Sequence, residues 1–347
     1  MKKISVILPF YNVEKYVDRV MTSLKDQTLG FDNMEVICVD DCSTDSTVNK
    51  LHNWEAEYPD NIMLIKLPSN SRQGAARNIG LTYASCDYIV FIDSDDWVEK
   101  NYLEKLYDIA TTGSYDLVQC DYIRDFSSEL VYNDRTAENS KANTPSEEFI
   151  ISNDDIRKKT LKDKQINNLP HCKLLKKSLL LDNNIVFTEG LAYEDSYFGV
   201  LLNMYFDKAY YLHEKLYHYF VNQSSTSLTT NDIYHVDLLT NQITLWNELI
   251  RRGFMENFKD EIELEFMYSC GIVFWKMIIL RYDTPSYPLY RLLCSVIQDK
   301  IPNILSNKYI LAKEVSETHA LLAKSCINPL SKADFLKFAE DVKKIGL

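Results

Sequence analysis

The first 92 residues are dominated by apolar β-rich runs that alternate with segments of helical periodicity. The runs are ISVIL (4–8), EVICVD (35–40), IMLIKL (62–67) and YIVFI (88–92). Between them apolar residues recur three and four apart, as Val17, Val20 and Leu24 do after the first run. Strands alternating with amphipathic helices predict βαβ units and a mostly parallel sheet with helices on both faces. We therefore predict a Rossmann-like α/β fold that binds ligands beyond the carboxyl ends of its strands.

Three carboxylates directly follow the fourth predicted strand, in the stretch VFIDSDDWVEK at residues 90–100. Carboxylates two residues apart in an extended turn, such as Asp93 and Asp95, can face one hard cation. Mg²⁺ or Mn²⁺ held by one or two carboxylates plus substrate phosphates is the usual arrangement in nucleotide chemistry. The alternative is a helix start, in which Asp95 or Asp96 caps the following helix. The residues alone leave both interpretations open.

The ends of the first two strands carry groups suited to a nucleobase. Pro9 ends the first strand, and the ring of Tyr11 just beyond it could stack on a base. Asp41, after the second strand, could accept a hydrogen bond from a base N–H. Capping of the next helix explains Asp45 in the turn VDDCSTD, but it does not explain the two acids before it. A base site is therefore one interpretation of this edge, and turn chemistry is the other.

The segment after the third strand, SRQGAARN, suits a phosphate ligand. It places Gly74 at a predicted helix start between Arg72 and Arg77, a cradle for diphosphate oxygens. A surface helix start is the alternative. All four polar clusters follow successive strands, so a parallel sheet would bring them to one edge. Together they supply a stacking ring, a base acceptor, phosphate-binding cations and a metal site, which describes a nucleotide-diphosphate pocket.

Charge and composition exclude several classes of function. A net charge of −12 argues against non-specific nucleic-acid binding, which needs clustered Lys and Arg. The longest apolar stretch, residues 270–280, is shorter than a membrane span and is interrupted by Lys276. The eight cysteines show no metal-binding spacing, so we predict reduced structural thiols. The N-terminus lacks signal-peptide features, and the predicted location is the cytoplasm.

Four blocks, ISVILPFYN, VDDCSTDST, GAARNIGL and YIVFIDSDDWV, closely resemble the family 2 glycosyltransferases with the GT-A fold. This resemblance covers residues 3 to about 122. A further block at residues 171–198 is similar to the acceptor-side half of bacterial capsule, exopolysaccharide and teichoic-acid transferases. The resemblance implies Asp95 as direct ligand of Mn²⁺ or Mg²⁺, with Asp93 near the ribose and the metal. It also implies that Asp41 meets a uracil ring, in a pocket lined by Pro9 and Tyr11.

The same resemblance identifies catalytic candidates in the segment YEDSYF. Inverting sugar transfer needs a carboxylate that removes the proton of the acceptor hydroxyl. Asp195 matches that position, and Glu194 would orient the acceptor. Without the resemblance, the pair would be interpreted as a solvated helix start. Some relatives supply a further metal ligand or phosphate contact from a later loop; here His218 is the candidate, and a histidine packed on a strand is the alternative.

We predict a metal-dependent inverting glycosyltransferase that moves a sugar, with a UDP-sugar favoured, to a hydroxyl of a cell-surface glycan or lipid-linked acceptor. One alternative is a non-catalytic sugar- or partner-binding protein on the same scaffold. Another is a nucleotidyltransferase, which should have a Gly-rich basic loop after the first strand, where this chain has PFYNVEKY.

The predicted domain organisation is a GT-A catalytic domain at 1–230 and a helical C-terminal domain at 231–347. The catalytic domain would consist of a nucleotide half (about 1–122) and an acceptor half (about 123–230). The apolar helices of the tail suggest an interaction module that forms a homo-oligomer. The alternative is docking to the acceptor or peripheral association with the inner face of the cell membrane.

Overall fold

The computed structural model describes residues 2–132, 144–221, 230–231 and 233–345. Its strands are β1 (Ile4–Phe10), β2 (Met34–Asp40), β3 (Ile62–Lys66), β4 (Tyr88–Phe91), β5 (Trp97–Val98), β6 (Leu117–Asp125), β7 (Glu147–Ile150), β8 (Lys173–Lys176) and β9 (Lys208–Phe220). Its α-helices are α1 (Val17–Lys25), α2 (Thr47–Glu57), α3 (Arg72–Tyr83), α4 (Tyr102–Gly113), α5 (Asp154–Asp163), α6 (Lys177–Asp182), α7 (Asp195–Tyr205), α8 (Asp237–Arg251), α9 (Met255–Tyr268), α10 (Trp275–Leu280), α11 (Tyr287–Lys300), α12 (Lys308–Leu311), α13 (Glu317–Ile327) and α14 (Lys332–Ile345). The predicted α/β class is confirmed.

Nine strands of the described chain form one mixed sheet in the order β3-β2-β1-β4-β8-β6-β9-β5, with β7 paired to β9. The first four strands are parallel, as the sequence predicts. Beyond β4 the direction changes, because β8 is antiparallel to both of its neighbours, β4 and β6. The long strand β9 then runs parallel to β6. The parallel half thus places the ends of β1, β2 and β4 at one edge, where the predicted polar clusters lie.

Helices cover both faces of the sheet, as predicted. On one face Val6 and Leu8 of β1 belong to a buried cluster with apolar residues of α1, α2 and α4. On the other face α3 lies against β1, and a Cβ added at Gly80 would come within 2.4 Å of the Ile7 side chain. Glycine at this position therefore permits the close approach of α3 to the sheet.

The chain divides into two compact units. The first comprises Met1–Arg157, Gln165–Gly190 and Phe198–Asn222 and contains the sheet; the second comprises Lys158–Lys164, Leu191–Tyr197 and Gln223–Leu347. The second unit has its own apolar core, in which Trp275, Tyr290 and Phe335 are buried and pack ring against ring. No helix in the described ranges is long and apolar enough to cross a membrane.

Lys173 of β8 is an unusual core residue because it is fully buried. Its Nζ donates hydrogen bonds to the side-chain oxygen of Asn167 and, at 2.6 Å, to the carbonyl oxygen of Leu169. Neither partner is charged, and burial lowers the pKa of Lys173 to about 7. A neutral amine has two N–H groups, which match these two acceptors.

This lowered pKa predicts that stability rises with pH. Between pH 7 and about 10.5 the unfolded chain holds a proton at Lys173 that the folded chain has released, so raising the pH favours folding. Each pH unit contributes up to about 1.4 kcal/mol for one proton. Between pH 7 and 9.5 the unfolding free energy of the wild type should therefore increase by up to about 3 kcal/mol more than that of Lys173→Met. Urea unfolding of both proteins at the two pH values measures this difference. Parallel pH dependence in the two proteins would contradict it.

Candidate active site

The turn after β4 places Asp93 between two basic side chains. An Arg77 Nη2 atom lies 2.6 Å from Asp93 Oδ1, and His171 Nδ1 lies 3.5 Å from Asp93 Oδ2. Burial alone would raise the pKa of Asp93, but the charge of Arg77 and the contact with His171 outweigh it and hold the pKa well below its usual range. Asp93 is therefore a firmly ionised and firmly oriented carboxylate.

Asp96 faces the protein interior and has a structural role. Its Oδ2 accepts a hydrogen bond of 2.6 Å from the Tyr217 hydroxyl, and its Oδ1 accepts one of 2.7 Å from the N–H of Phe220. Burial, together with the nearby carboxylates, raises its pKa well above the ordinary value. Helix α4 begins after Asn101 at its N-cap position. The alternative in which Asp95 or Asp96 caps this helix is therefore wrong.

Arg19 of α1, which no sequence motif indicated, hydrogen-bonds to the backbone of the same turn. Its guanidinium donates to the carbonyl oxygen of Asp95 and, at 3.2 Å, to that of Ser127. The same group lies 4.4 Å from the ring centroid of Trp97 and 4.5 Å from that of Phe220. Nothing in the pattern of α1 distinguishes Arg19 from an ordinary surface arginine, because its partners are distant in sequence.

Asp95 lies half-buried on this turn, where its side chain is the candidate metal ligand. In the described part of the chain no group of three or more His, Cys, Asp or Glu side chains could hold a metal ion by itself. The two oxygens of Asp93 already face Arg77 and His171. The donor set therefore fits a hard cation that takes most of its ligands from a diphosphate and water. It does not fit an ion enclosed by protein ligands alone.

His218 does not have the surroundings of a metal ligand. Its Nε2 lies 2.8 Å from Glu99 Oε1 and its Nδ1 lies 3.0 Å from Asp125 Oδ2, so both ring nitrogens contact carboxylates. The ring is 1% exposed and stacks on Trp97 at a centroid distance of 4.8 Å. The structure supports the alternative in which His218 is a packed histidine on a strand, and it corrects the assignment to a metal.

The candidate base-binding residues lie side by side. Phe10 pairs with Asp40 in the register of β1 and β2, so Tyr11 and Asp41 are adjacent just beyond the two strand ends. The Tyr11 side chain is 46% exposed, which leaves its ring accessible. Asp41 is buried, and its Oδ1 accepts a hydrogen bond of 2.6 Å from the N–H of Ser71. Burial raises the pKa of Asp41.

Asp40, for which the sequence predicted no ligand contact, is a second acceptor at this edge. Its Oδ2 accepts a hydrogen bond of 3.0 Å from the N–H of Ser43. Its Oδ1 is buried and accepts no hydrogen bond from the residues that the structure describes. Such an acceptor is costly to bury unless a ligand donates to it. The paired acids after the strand were visible in the sequence, but the orientation of each was not.

The predicted phosphate cradle is only partly assembled. Arg72 begins α3 with a φ of 68°, and Gly74 is buried in the first turn of that helix. Pro9 is buried within β1. Arg77 is 2% exposed and is directed at Asp93, with its guanidinium 5.2 Å from the ring centroid of Phe187. The structure therefore gives Arg77 a role in orienting Asp93 and leaves Arg72 as the cationic candidate for a diphosphate.

Of the predicted catalytic pair, Asp195 is the first residue of α7 and Glu194 directly precedes it, and both belong to the second compact unit. Glu194 is 1% exposed, whereas Asp195 is half-buried. The Asp195 Oδ1 atom accepts a hydrogen bond of 2.9 Å from the N–H of Ser196. This geometry is compatible with a helix start, and the catalytic roles of both residues stay predictions.

Comparison with known proteins finds similarity to glycosyltransferases. Poly(ribitol-phosphate) beta-N-acetylglucosaminyltransferase TarS of Staphylococcus aureus is 29% identical over 274 residues, which cover 77% of this chain and 44% of TarS. The putative glycosyltransferase EpsH of Bacillus subtilis is 30% identical over 226 residues, or 64% of this chain and 62% of EpsH. The matched segments thus cover less than half of TarS and less than two thirds of EpsH.

The crystal structure of S. aureus TarS 1–349 in complex with UDP has a similar fold. It superposes with a TM-score of 0.69 at 21% identity, covering 99% of this chain and 92% of that one. The predicted GT-A fold with a C-terminal helical region is thereby confirmed. The sequence profile of the family described as Glycosyl transferase family 2 matches residues 5–182, which is just over half of the chain. The chain therefore belongs to glycosyl transferase family 2.

Proposed function

We propose that this chain is an inverting glycosyltransferase that uses a UDP-sugar and Mn²⁺ or Mg²⁺ to modify a hydroxyl of a cell-surface glycan or lipid-linked glycan. The observation that carries the proposal is the ordered turn after β4. There Arg77 and His171 orient Asp93, and Arg19 fixes the backbone at Asp95. A helix start or a solvent-exposed turn would not require three buried basic groups beneath it.

Different residues around this turn would bind the base, the cation and the diphosphate of the donor. Tyr11 would stack on the base, and Asp41 would accept a hydrogen bond from it. Asp95 would hold the cation, which when bound stabilises the charge that develops on the departing diphosphate. Arg72 would add a cationic contact to the same diphosphate. The solved TarS structure with UDP supports uridine as the nucleoside of the donor.

On the acceptor side, Asp195 would remove the proton from the attacking hydroxyl, and Glu194 would orient the acceptor. The name of TarS includes poly(ribitol phosphate), and this supports a polymer of that kind as the acceptor. We therefore propose UDP-N-acetylglucosamine and poly(ribitol phosphate) as the first substrates to test. The domain division near residue 230 and oligomer formation by the tail stay proposals as well.

A thermal-shift panel of nucleotide sugars with and without Mn²⁺, followed by an assay of UDP release, tests this function. A ligand that binds only the folded chain raises the melting temperature. We expect UDP-sugars to do so in the presence of Mn²⁺, and UDP release to depend on the chain. Binding without release under any condition would favour the non-catalytic sugar-binding alternative. A nucleotidyltransferase would instead release pyrophosphate from a nucleoside triphosphate.

The base-binding proposal predicts separable effects of two substitutions. Tyr11→Ala should weaken UDP binding by about two- to tenfold, because aromatic stacking contributes about 0.5–1.5 kcal/mol beyond burial. Asp41→Asn keeps an oxygen for the N–H of Ser71 and should reduce the preference for UDP over GDP. Calorimetric titration with both nucleotides measures these changes. Tyr83→Ala is the matched control, since Tyr83 is 53% exposed at the far end of α3. Equal affinity of the wild type for GDP and UDP would count against the assignment.

A further inference from the structure

Three polar side chains of the second unit contact the two residues just before the predicted catalytic pair. The N–H of Ala192 donates to Asp237 Oδ2 at 3.0 Å, and Asn241 Nδ2 donates to the carbonyl oxygen of Ala192 at 2.6 Å. The hydroxyl of Tyr193 lies 2.7 Å from His235 Nδ1. The two backbone polar groups of Ala192 and the side chain of Tyr193 are thus all bound by residues 235–241.

The burial of these groups shows that the contacts are built into the core of the unit. His235 and Asn241 are 0% exposed. Buried polar groups of this kind are tolerated only when they are hydrogen-bonded. Asp237 and Asn241 are four residues apart on α8, so they share one face of the helix and reach the same residue, Ala192. These two hydrogen bonds are directed at the backbone of Ala192 and are not general packing contacts.

The backbone at Tyr193 adopts a conformation that needs such support. Its φ is 63°, in the left-handed region that a residue with a large side chain rarely adopts. Strained backbone of this kind persists when the surrounding structure over-determines it, and it is enriched at functional sites. The turn continues directly into the catalytic pair, since the carbonyl oxygen of Tyr193 accepts hydrogen bonds from the N–H and the hydroxyl of Ser196.

We propose that His235, Asp237 and Asn241 are positioning residues for Glu194 and Asp195. The C-terminal helices would then help to build the acceptor side of the active site, beyond the interaction module that the sequence suggested. The proposal rests on the proposed function, in which Asp195 is the general base. A base displaced by about 1 Å can lose 10²-fold in rate. The hydrogen bonds to Ala192 and Tyr193 are suited to prevent such a displacement.

Asn241→Leu and Gln242→Leu form a matched pair that tests the proposal. Both residues are fully buried neighbours on α8, and the amide of Asn241 donates the hydrogen bond to the carbonyl oxygen of Ala192. In hydrogen exchange, Asn241→Leu should speed exchange of the amides at residues 192–197, and Gln242→Leu should not. This measurement requires no substrate, so it can be read even if the proposed function fails. Unchanged exchange in Asn241→Leu would overturn the proposal.

A kinetic assay then tests whether these contacts affect the rate of sugar transfer. With UDP-N-acetylglucosamine and poly(ribitol phosphate), Asn241→Leu should lower kcat at least about tenfold, within the cost of misplaced groups, while UDP affinity stays unchanged. His235→Phe should lower kcat similarly, and His235→Gln should restore part of it, since its amide oxygen can accept from Tyr193. An active wild type with unchanged kcat in Asn241→Leu would overturn the positioning role. A wild type that releases no UDP would instead refute the proposed function.

Discussion

Replacing Asp195 by Asn is expected to lower the rate of sugar transfer by about 10²- to 10⁴-fold, the usual cost of losing a general base. Asn retains the size of the side chain and an oxygen that can accept from the N–H of Ser196, as Asp195 does. The start of α7 should therefore survive, with little change in melting temperature. UDP affinity should also stay close to that of the wild type, because the substitution removes a proton acceptor and no donor contact.

The helix-start interpretation of Asp195 predicts the opposite pattern. Loss of a capping side chain costs about 1 kcal/mol of stability and little chemistry. Steady-state transfer assays combined with thermal unfolding separate the two. Asp182→Asn is the matched control, because Asp182 is an exposed carboxylate at the end of α6. Glu194→Gln should act mainly on the acceptor KM. If Asp195→Asn retains more than about a tenth of wild-type transfer, the loss of rate is smaller than the lower limit of about 10²-fold for a general base. Another residue would then be the base.

The parallel half of the fold was predictable because its signals are local. Each of the first four strands is a short apolar run, and each following helix has its own apolar period. Parallel pairing then follows from the alternation, and it brings Tyr11 and Asp41 together at adjacent strand ends. The same reasoning correctly placed Asp93 and Asp95 at the end of β4.

The remainder of the sheet depends on long-range pairing that no local pattern specifies. The antiparallel insertion of β8 between β4 and β6 brings His171, just before β8, to Asp93. The sequence contained the block HCKLLKK, but nothing in it indicated which residue His171 would contact. The polar segment between β6 and β8 forms β7 and α5, and residues 133–143 within it lie outside the described ranges.

Side-chain direction was the other limit of sequence reasoning. The pattern SRQGAARN suggested that Arg72 and Arg77 act together, yet Arg77 is buried against Asp93. Arg72 and Arg77 are five residues apart, which is more than one α-helical turn of about 3.6 residues. Their side chains therefore point in different directions, and the spacing alone does not tell which of them faces a ligand. His218 likewise suited a metal by residue type, but its two ring nitrogens contact Glu99 and Asp125. Residue chemistry identified the candidates, and only the three-dimensional contacts separated their roles.

Replacing Asp95 by Asn is expected to abolish the part of UDP binding that depends on Mn²⁺. In the proposed function, the carboxylate charge of Asp95 is the main protein contribution to a cation that otherwise relies on the diphosphate and water. Even changes to groups that only support metal ligands typically cost about 10- to 100-fold in metal affinity, so loss of the ligand charge should cost at least as much. Calorimetric titration of UDP with Mn²⁺ and with a chelator measures the metal-dependent increment in wild type and variant.

Two further variants show whether that loss is specific to Asp95. Asp32→Asn changes an exposed carboxylate just before β2 and should retain the full increase in UDP affinity that Mn²⁺ gives the wild type. Asp96→Asn should mainly lower the melting temperature, because Asp96 accepts hydrogen bonds from Tyr217 and Phe220 in the interior. If Asp95→Asn keeps the wild-type increment while remaining folded, Asp95 is not the metal ligand. Because Asp93 is oriented by Arg77 and His171, the cation would then have to take its protein ligand from outside this turn.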